Sequence, residues 1–212
     1  MTAPLDPTLD RAFARRWVDA FATDFETQRE RLTELDRAAG DGDFGANLRS
    51  ALRKVEQRLA ADPATARGVF AAVSDAFLDT GGTSGPLFGM WFRALSRALP
   101  EADPAGLTQL AEGVREGTAT VQRLGGAEVG DKTMVDAMVP AAAALTDAAG
   151  AGPEQALTAA AEAAEQGAAS TEELIARRGR ASYVGEVARG VLDPGALAVA
   201  LFFRAGARAL AG

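Results

Sequence analysis

Residues 141–169 read AAAALTDAAGAGPEQALTAAAEAAEQGAA, an alanine-rich stretch that Gly150, Gly152 and Pro153 divide in two. Alanine has the highest helix propensity, and such a glycine–proline group is typical of a turn between two helices. The pattern extends outward: alanine is the commonest residue, β-branched and aromatic residues are sparse, and no run alternates apolar and polar residues. We expect helices near residues 8–34, 45–60, 64–79, 86–99, 104–123, 131–149, 153–168, 170–178 and 194–210.

The connections between these helices are short, which favours antiparallel neighbours in one all-α domain over residues 1–212. In the first helix Phe13, Trp17, Phe21 and Phe25 recur at helical spacing, so this face is expected to be core.

Several sequence patterns predict where helices start. An aspartate before a proline suits a helix start, and this pair occurs as Asp62-Pro63, Asp103-Pro104 and Asp193-Pro194. Ser170 followed by Glu173 predicts a capping box, and Asp131 is expected to cap the helix from residue 132.

Charge and composition exclude several classes of function. The chain has 22 Lys and Arg against 29 Asp and Glu, a net charge of −7, which disfavours nucleic acid or an anionic membrane as the main partner. It has no cysteine and no histidine, which removes disulfides, thiolate zinc sites, Ser-His-Asp triads and histidine-ligated metals. Residues 1–9 lack a signal-peptide pattern, and the apolar run 196–203 is too short for a membrane span. We expect a soluble, cytoplasmic protein that uses carboxylates, backbone amides, Lys or Arg, and hard cations.

The loop at residues 35–47, LDRAAGDGDFGAN, crowds three aspartates among glycines. Crowded carboxylates repel unless a cation such as Mg²⁺ or Ca²⁺ neutralises them, although separate caps and turns are a common alternative use of aspartate. The loop also matches G-x-G-x-x-G, but no strand precedes it and its acidic residues would repel a bare pyrophosphate. It lacks the later ligands of an EF-hand.

Three further loops contain glycine. Residues 80–85, TGGTSG, have the composition of an anion-binding cradle at a helix N-terminus, or of a flexible loop. Residues 124–136 imitate a Walker A loop, but Asp131 interrupts the G-K-T order and no strand precedes it. In residues 178–186, Arg180 could bind phosphate oxygens through its guanidinium, or it could be a solvated arginine near a helix end. Together the four loops contain the parts of a metal–nucleotide site, in which positioning and charge neutralisation supply most of the catalysis.

In order, the blocks LDRAAGDGDFGAN, GGTSGPL, GDKTMVDAMVP and GRASYVGE followed by DPGA resemble the nucleotide-binding L subunit of dihydroxyacetone kinase, through essentially the whole chain. The resemblance implies a barrel of about eight antiparallel amphipathic helices with a nucleotide site at one rim, so one of the nine expected segments is a split helix or a short turn. It also implies ADP or ATP and two Mg²⁺ ions as cofactors.

The resemblance implies site residues by motif match. The metal ligands would be Asp36, Asp41 and Asp43. The nucleotide contacts would be Phe44, Gly45, Ala46, Asn47, Thr83, Ser84, Gly125, Met134, Arg180, Asp193, Pro194 and Gly195. No separate catalytic side chain is implied beyond the metal–nucleotide site itself. The family usually has histidine at the position of Phe44, and commonly Arg-Ser where this chain has Val187-Ala188.

By the same resemblance, the sugar is bound covalently to a histidine of a separate K subunit or domain, and this chain transfers the terminal phosphoryl to it. Bound ADP would be recharged by a phosphohistidine on an M subunit, or ATP would replace ADP after each transfer; the sequence leaves both possibilities open. The sequence is also compatible with a homodimer. One alternative is a nucleotide-loaded regulatory module that signals to a protein partner without turnover. A second is the related nucleotide domain of fatty-acid kinases, and we rank this second alternative lowest.

Overall fold

Each helix of the chain packs against the next in sequence, and the last returns to the first. The computed structural model describes residues 9–211. Over these residues the helices are α1 Arg11–Ala39, α2 Phe44–Leu59, α3 Ala66–Leu78, α4 Ser84–Ala98, α5 Leu107–Gly125, α6 Val135–Asp147, α7 Pro153–Ser170 and α8 Pro194–Ala211. Short 3-10 segments follow α6 and α7. The packing of α8 on α1 closes the ring, so the expected eight-helix, all-α barrel is confirmed.

An aromatic cluster occupies the interior of the barrel. The ring of Phe202 on α8 stacks on Trp17 of α1, with centroids 4.6 Å apart, and meets Trp91 of α4 edge-on at 5.1 Å. The Trp17 indole N–H donates to the carbonyl of Phe202 at 2.7 Å, so this buried polar atom is satisfied. The predicted stripe of Phe13, Trp17, Phe21 and Phe25 is buried in this core, as expected.

Two glycines allow the aromatic rings to approach neighbouring helices closely. A Cβ added at Gly206 would lie 2.5 Å from the Trp17 ring, and one at Gly117 would lie 2.5 Å from the Trp91 ring. Real Cβ atoms do not come this close to another carbon, so α8 and α5 need glycine at these points to pack on α1 and α4.

The helix predicted at residues 170–178 is wrong. Ser170 is the last residue of α7, and residues 171–173 form a single 3-10 turn before the chain becomes irregular. The Ser170 hydroxyl donates back to the carbonyl of Gly167 at 2.7 Å, so the expected capping box with Glu173 does not form. A serine can end a helix in this way as readily as it can begin one.

Two of the three predicted Asp-Pro caps are also wrong. Asp62 has a left-handed backbone (φ 53°), and α3 begins later, capped by Thr65, whose hydroxyl accepts from the amide of Gly68 at 3.2 Å. Asp103 accepts instead from the amides of Arg11 at 2.6 Å and Ala66 at 2.9 Å, and so caps α1 and α3 rather than α5. The contacts of Asp103 are tertiary, and the local sequence does not contain them.

Asp193 is the predicted cap that does form, since its carboxylate accepts from the amide of Ala196 at 2.7 Å in the first turn of α8. The predicted cap at Asp131 is wrong: α6 begins at Val135, and the Asp131 carboxylate accepts from the amide of Glu128 at 2.9 Å within the preceding loop. Among the described residues, no helix combines the length and the apolar character needed to cross a membrane.

Candidate functional site: a cavity at one rim of the barrel

The four glycine-containing loops meet at one end of the barrel because of the order of its helices. In a ring of antiparallel helices, every connection from an odd-numbered to an even-numbered helix lies at the same end. Those connections here are residues 40–43, 79–83, 126–134 and 171–193, which contain the four loops singled out from the sequence. All four contribute to the lining of one cavity at this rim.

The structure brings most of the predicted site residues to this cavity. Those that line it are Asp36, Asp41, Asp43, Phe44, Thr83, Ser84, Gly125, Met134, Arg180, Asp193, Pro194 and Gly195. Gly45, Ala46 and Asn47 do not line it. Gly45 packs against Thr33 of α1, Ala46 lies in a separate surface groove, and the Asn47 side chain lies against Gly82 in the second loop.

Three carboxylates converge at the mouth of the cavity. One oxygen each of Asp36, Asp41 and Asp43 lies within 4.8 Å of the other two. Asp36 is buried at the end of α1, and its Oδ2 accepts from the amide of Phe44 at 2.9 Å, so it also caps α2. A Cβ added at Gly40 would lie 2.5 Å from Asp36 Oδ1, so the loop can bend over this carboxylate only with glycine there. This donor set, all oxygen and triply negative, is the kind that binds Mg²⁺ or Ca²⁺.

Arg180 supplies the positive charge nearest to these carboxylates. Its guanidinium forms an ion pair with Asp41, and its Nη1 lies 3.8 Å from Asp43 Oδ2. One guanidinium offsets one of three negative charges, so the cluster retains the capacity to bind a divalent cation. The guanidinium also lies where it could contact an anion bound beside the carboxylates.

The second loop presents a helix N-terminus to the cavity. Helix α4 begins at Ser84, so the amides of its first turn lack partners within the helix and point toward the rim. Thr83 and Ser84 line the cavity, whereas the Thr80 hydroxyl turns inward and donates to the carbonyl of Ala76 at 2.9 Å. An N-terminus with adjacent hydroxyls favours a bound anion.

The third loop is held by Asp136, which sequence reasoning did not single out. Its two carboxylate oxygens accept from the amides of Gly130 at 2.5 Å and Thr133 at 2.7 Å. Lys132 lies between these anchors with a left-handed backbone (φ 62°), and its buried ammonium donates to the carbonyls of Thr171 and Val191. Because the order of residues around Lys132 does not match a Walker A loop, the sequence analysis gave Lys132 no role. Its position between two aspartates in a glycine-containing loop was the signal that could have identified it.

Burial perturbs two charged groups beside the cavity. The pKa of Asp193 is raised to about 7, mainly because burial desolvates its carboxylate; the amide of Ala196 and the charge of Lys132 oppose the rise, and the charge of Asp136 adds to it. Burial also lowers the pKa of Lys132, and the carboxylates of Asp193, Glu172 and Asp136 oppose that shift.

Part of the cavity lining is apolar. This apolar wall is built from residues near the ends of helices and from the third loop: Ala39, Leu87, Val121, Ala127, Met134 and Val135. Sequence reasoning missed most of them because they lie on core-facing helix surfaces and carry no chemical signature. The cavity therefore combines an acidic and anion-binding mouth with an apolar wall, a combination that suits an amphipathic anion bound with a metal.

Comparison with known proteins gives consistent results. Residues 38–208 match the model of the DAK2 domain. The chain is 36% identical over 202 residues to the PEP-dependent dihydroxyacetone kinase 1, ADP-binding subunit DhaL, of Listeria innocua, covering 93% of this chain and 96% of that one. It is 38% identical to the PEP-dependent dihydroxyacetone kinase, ADP-binding subunit DhaL, of Escherichia coli, covering 91% and 93%.

A solved structure is also similar over nearly the whole chain. The dihydroxyacetone kinase from C. freundii in complex with AMP-PNP and Mg²⁺ superposes with a TM-score of 0.72 at 28% identity. The match covers 98% of this chain but 36% of that one, so this chain corresponds to about a third of the C. freundii protein.

Proposed function

This chain belongs to the DAK2 domain family, and on that premise we propose that it is the nucleotide-binding subunit of a dihydroxyacetone kinase. It holds Mg-ADP or Mg-ATP in the rim cavity and transfers the terminal phosphoryl group to dihydroxyacetone bound on a separate K subunit. Residues 1–212 act in this proposal as a single DhaL-type domain, located in the cytoplasm.

The observation that carries the proposal is the convergence of Asp36, Asp41 and Asp43 at the mouth of a cavity that all four loops line. The loop that contains the three aspartates is distant in sequence from the other three loops, and the closed ring of helices brings the four loops together. An all-oxygen cluster of this charge beside a helix N-terminus is suited to a metal-bound polyphosphate.

In this proposal Asp36, Asp41 and Asp43 hold Mg²⁺, with two ions expected. The metal would supply neutralisation of the phosphate charge, which is the main requirement of phosphoryl transfer. The residues of this chain do the rest by orientation: the hydroxyls of Thr83 and Ser84 and the first-turn amides of α4 fix the phosphate oxygens. Gly45 and Ala46 do not line the cavity, so Phe44 is the residue at the start of α2 that faces the nucleotide in this proposal.

The rest of the nucleotide lies deeper in the cavity in this proposal. The apolar wall of Leu87, Val121 and Met134 accommodates the base. Gly125 and the turn Asp193-Pro194-Gly195 complete the pocket, and Arg180, which pairs with Asp41 in this structure, would contact the phosphates if a metal neutralised the carboxylates. Phe44 lines the cavity in place of the family's histidine, and because its amide already donates to Asp36, it adds no free polar donor at this point.

The 212 residues contain no histidine, so in this proposal a histidine that holds dihydroxyacetone lies outside them, on the K subunit. The relatives from Listeria innocua and Escherichia coli are named PEP-dependent, which favours the form in which bound ADP is recharged by a phosphohistidine M subunit. Both partners are proteins, and the proposal requires neither nucleic acid nor a membrane.

Reconstitution tests the proposal. The purified chain is incubated with dihydroxyacetone and Mg²⁺, with and without a purified K subunit, and with ATP or a phosphorylated M subunit as the donor. We expect dihydroxyacetone phosphate only when the K subunit is present. Product without the K subunit would refute the division of labour. Retained Mg-ADP without product under any condition would favour the regulatory alternative.

A further inference from the structure

Residues 172–190, here called the strap, join α7 to α8 as a loop whose two ends meet. The amide of Gly190 donates to the carbonyl of Glu172 at 2.8 Å, and just outside this pair the amide of Asp193 donates to the Thr171 hydroxyl at 2.9 Å. The strap therefore leaves and returns to the barrel at one narrow neck, as an Ω-loop does.

The strap forms one wall of the rim cavity with few buried side chains of its own. Arg178, Gly179, Arg180 and Ala181 line the cavity. Of the apolar side chains in the strap, those of Ala176 and Ala188 are buried, while Tyr183 is 89% and Val187 is 75% exposed. A loop with so little apolar burial depends on polar contacts for a fixed position.

Lys132 provides such a contact at the neck. Its ammonium donates to the carbonyl of Thr171, immediately before the strap, and to the carbonyl of Val191, immediately after it, the second at 2.5 Å. The side chain comes from the third loop, which Asp136 holds through the amides of Gly130 and Thr133. Lys132 is 2% exposed, so water cannot easily replace these two bonds.

The charges around this ammonium suit a clamp. Asp136, Asp193 and Glu172 face Lys132 and favour its charged form, although burial lowers its pKa. A charged donor bonds a carbonyl more strongly than a neutral one does.

We propose that Lys132 is a positioning residue: it clamps the two ends of the strap together and thereby holds Arg180 at the mouth of the cavity. The clamp itself does not depend on what the cavity binds. Its consequence for nucleotide rests on the proposed function, so the two are tested separately.

Site-resolved proteolysis of the ligand-free protein tests the clamp. The strap contains Arg177, Arg178, Arg180 and Arg189, all of them exposed, so an arginine-specific protease reports each opening of the strap. In Lys132→Met we expect cleavage at these four positions to be about tenfold faster than in the wild type, with cleavage elsewhere unchanged. Lys132→Arg, which restores a charged donor, should recover part of the protection.

The chain offers a matched control, because Lys54 is its other lysine and also donates to a backbone carbonyl, that of Asp79 at the end of α3. Lys54→Met should leave strap cleavage at the wild-type rate. Equal strap cleavage in Lys132→Met and the wild type would overturn the proposal, and so would equally accelerated cleavage at arginines throughout the chain.

A measurement on the wild-type protein guards against failure of the variant to fold. Acetic anhydride modifies exposed lysines, and mass spectrometry gives the rate at each. We expect Lys132 to react about tenfold or more slowly than Lys54, because the clamp must open before the amine is accessible. Equal rates at the two lysines would overturn the clamp.

The effect on nucleotide is read separately, from the dissociation rate of Mg-ADP. Faster dissociation from Lys132→Met than from Lys54→Met supports the positioning of Arg180, and equal dissociation from the two contradicts it. If the wild type binds no Mg-ADP, the proposed function fails, while strap cleavage still decides whether Lys132 is a clamp.

Discussion

Asp41→Asn should change the stability of the ligand-free and the nucleotide-bound protein differently. In the ligand-free protein the Asp41 carboxylate lies within 4.8 Å of those of Asp36 and Asp43 and pairs with Arg180. Even with the dielectric constant of water, each like-charge pair at that distance costs about 1 kcal/mol before salt screening. The exposed ion pair returns about 0–1 kcal/mol. Removing the charge should therefore leave the ligand-free protein as stable as the wild type, or about 1 kcal/mol more stable.

The nucleotide-bound protein should respond in the opposite direction. A ligand at 100 times its Kd stabilises the folded state by about 2.7 kcal/mol. For a domain of this size each kcal/mol raises Tm by about 2–4 °C, so Mg-ADP should raise the Tm of the wild type by about 5–10 °C. The asparagine keeps a neutral oxygen but not the charge that Mg²⁺ requires, so we expect the shift to fall below about 2 °C.

Scanning calorimetry of three samples measures both effects: protein alone, protein with ADP and EDTA, and protein with ADP and Mg²⁺. Asp19→Asn is the control, since Asp19 is an exposed aspartate of α1 paired with Arg15 at 3.0 Å and does not line the cavity. A wild-type Mg-ADP shift in Asp41→Asn would refute the assignment of the metal ligands. If Asp19→Asn also lost the rise in Tm caused by Mg-ADP, the rise would depend on the net charge of the protein rather than on the metal ligands.

Three further predictions concern other parts of the molecule. Arg180→Ala should speed the dissociation of Mg-ADP but change the ligand-free Tm little, because its ion pairs are exposed; a dissociation rate equal to the wild type would contradict a phosphate contact. Phe202→Ala should lower the free energy of unfolding in urea by about 3–5 kcal/mol, whereas Tyr183→Ala should leave it unchanged, since Phe202 lies in the aromatic cluster and Tyr183 is exposed. Burial raises the pKa of Asp193 from 3.8 to about 7, so well below pH 3.8 both the folded and the unfolded state are protonated and no penalty exists. Above pH 4 the unfolded state ionises first, so the free energy of unfolding should fall by a few kcal/mol between about pH 4 and 7. In Asp193→Asn, urea titrations should show less of this fall; an identical pH profile would contradict the raised pKa.

The sequence could predict most of the fold because its local signals agree with its tertiary structure. The alanine-rich segments and the Gly and Pro residues between them place all eight helices, and the stripe of Phe13, Trp17, Phe21 and Phe25 is core. The errors have two causes. Asp103 accepts from the first amides of α1 and α3 across the barrel, and these partners are not visible in the local sequence. Ser170 bonds backward within α7, and the local sequence does not decide whether a serine ends one helix or begins the next.

The candidate site was predictable to the extent that its residues carry a chemical signature. The three aspartates, the hydroxyls of Thr83 and Ser84, and Arg180 were all singled out from the sequence, and all line the cavity. Val121 and Leu87 could not be identified, because an apolar helix residue that lines a cavity looks the same in sequence as one in the core. The role of Lys132 depends on the meeting of Thr171 and Val191, which only the closed strap produces.

The most direct test of the central claim is a calorimetric titration of the purified protein with ADP, in Mg²⁺ and in EDTA. The account predicts one nucleotide per chain in Mg²⁺, with affinity largely lost in EDTA, because the acidic mouth of the cavity repels a metal-free polyphosphate. Equal affinity in Mg²⁺ and EDTA, or no binding in either, would contradict a metal–nucleotide site at this rim.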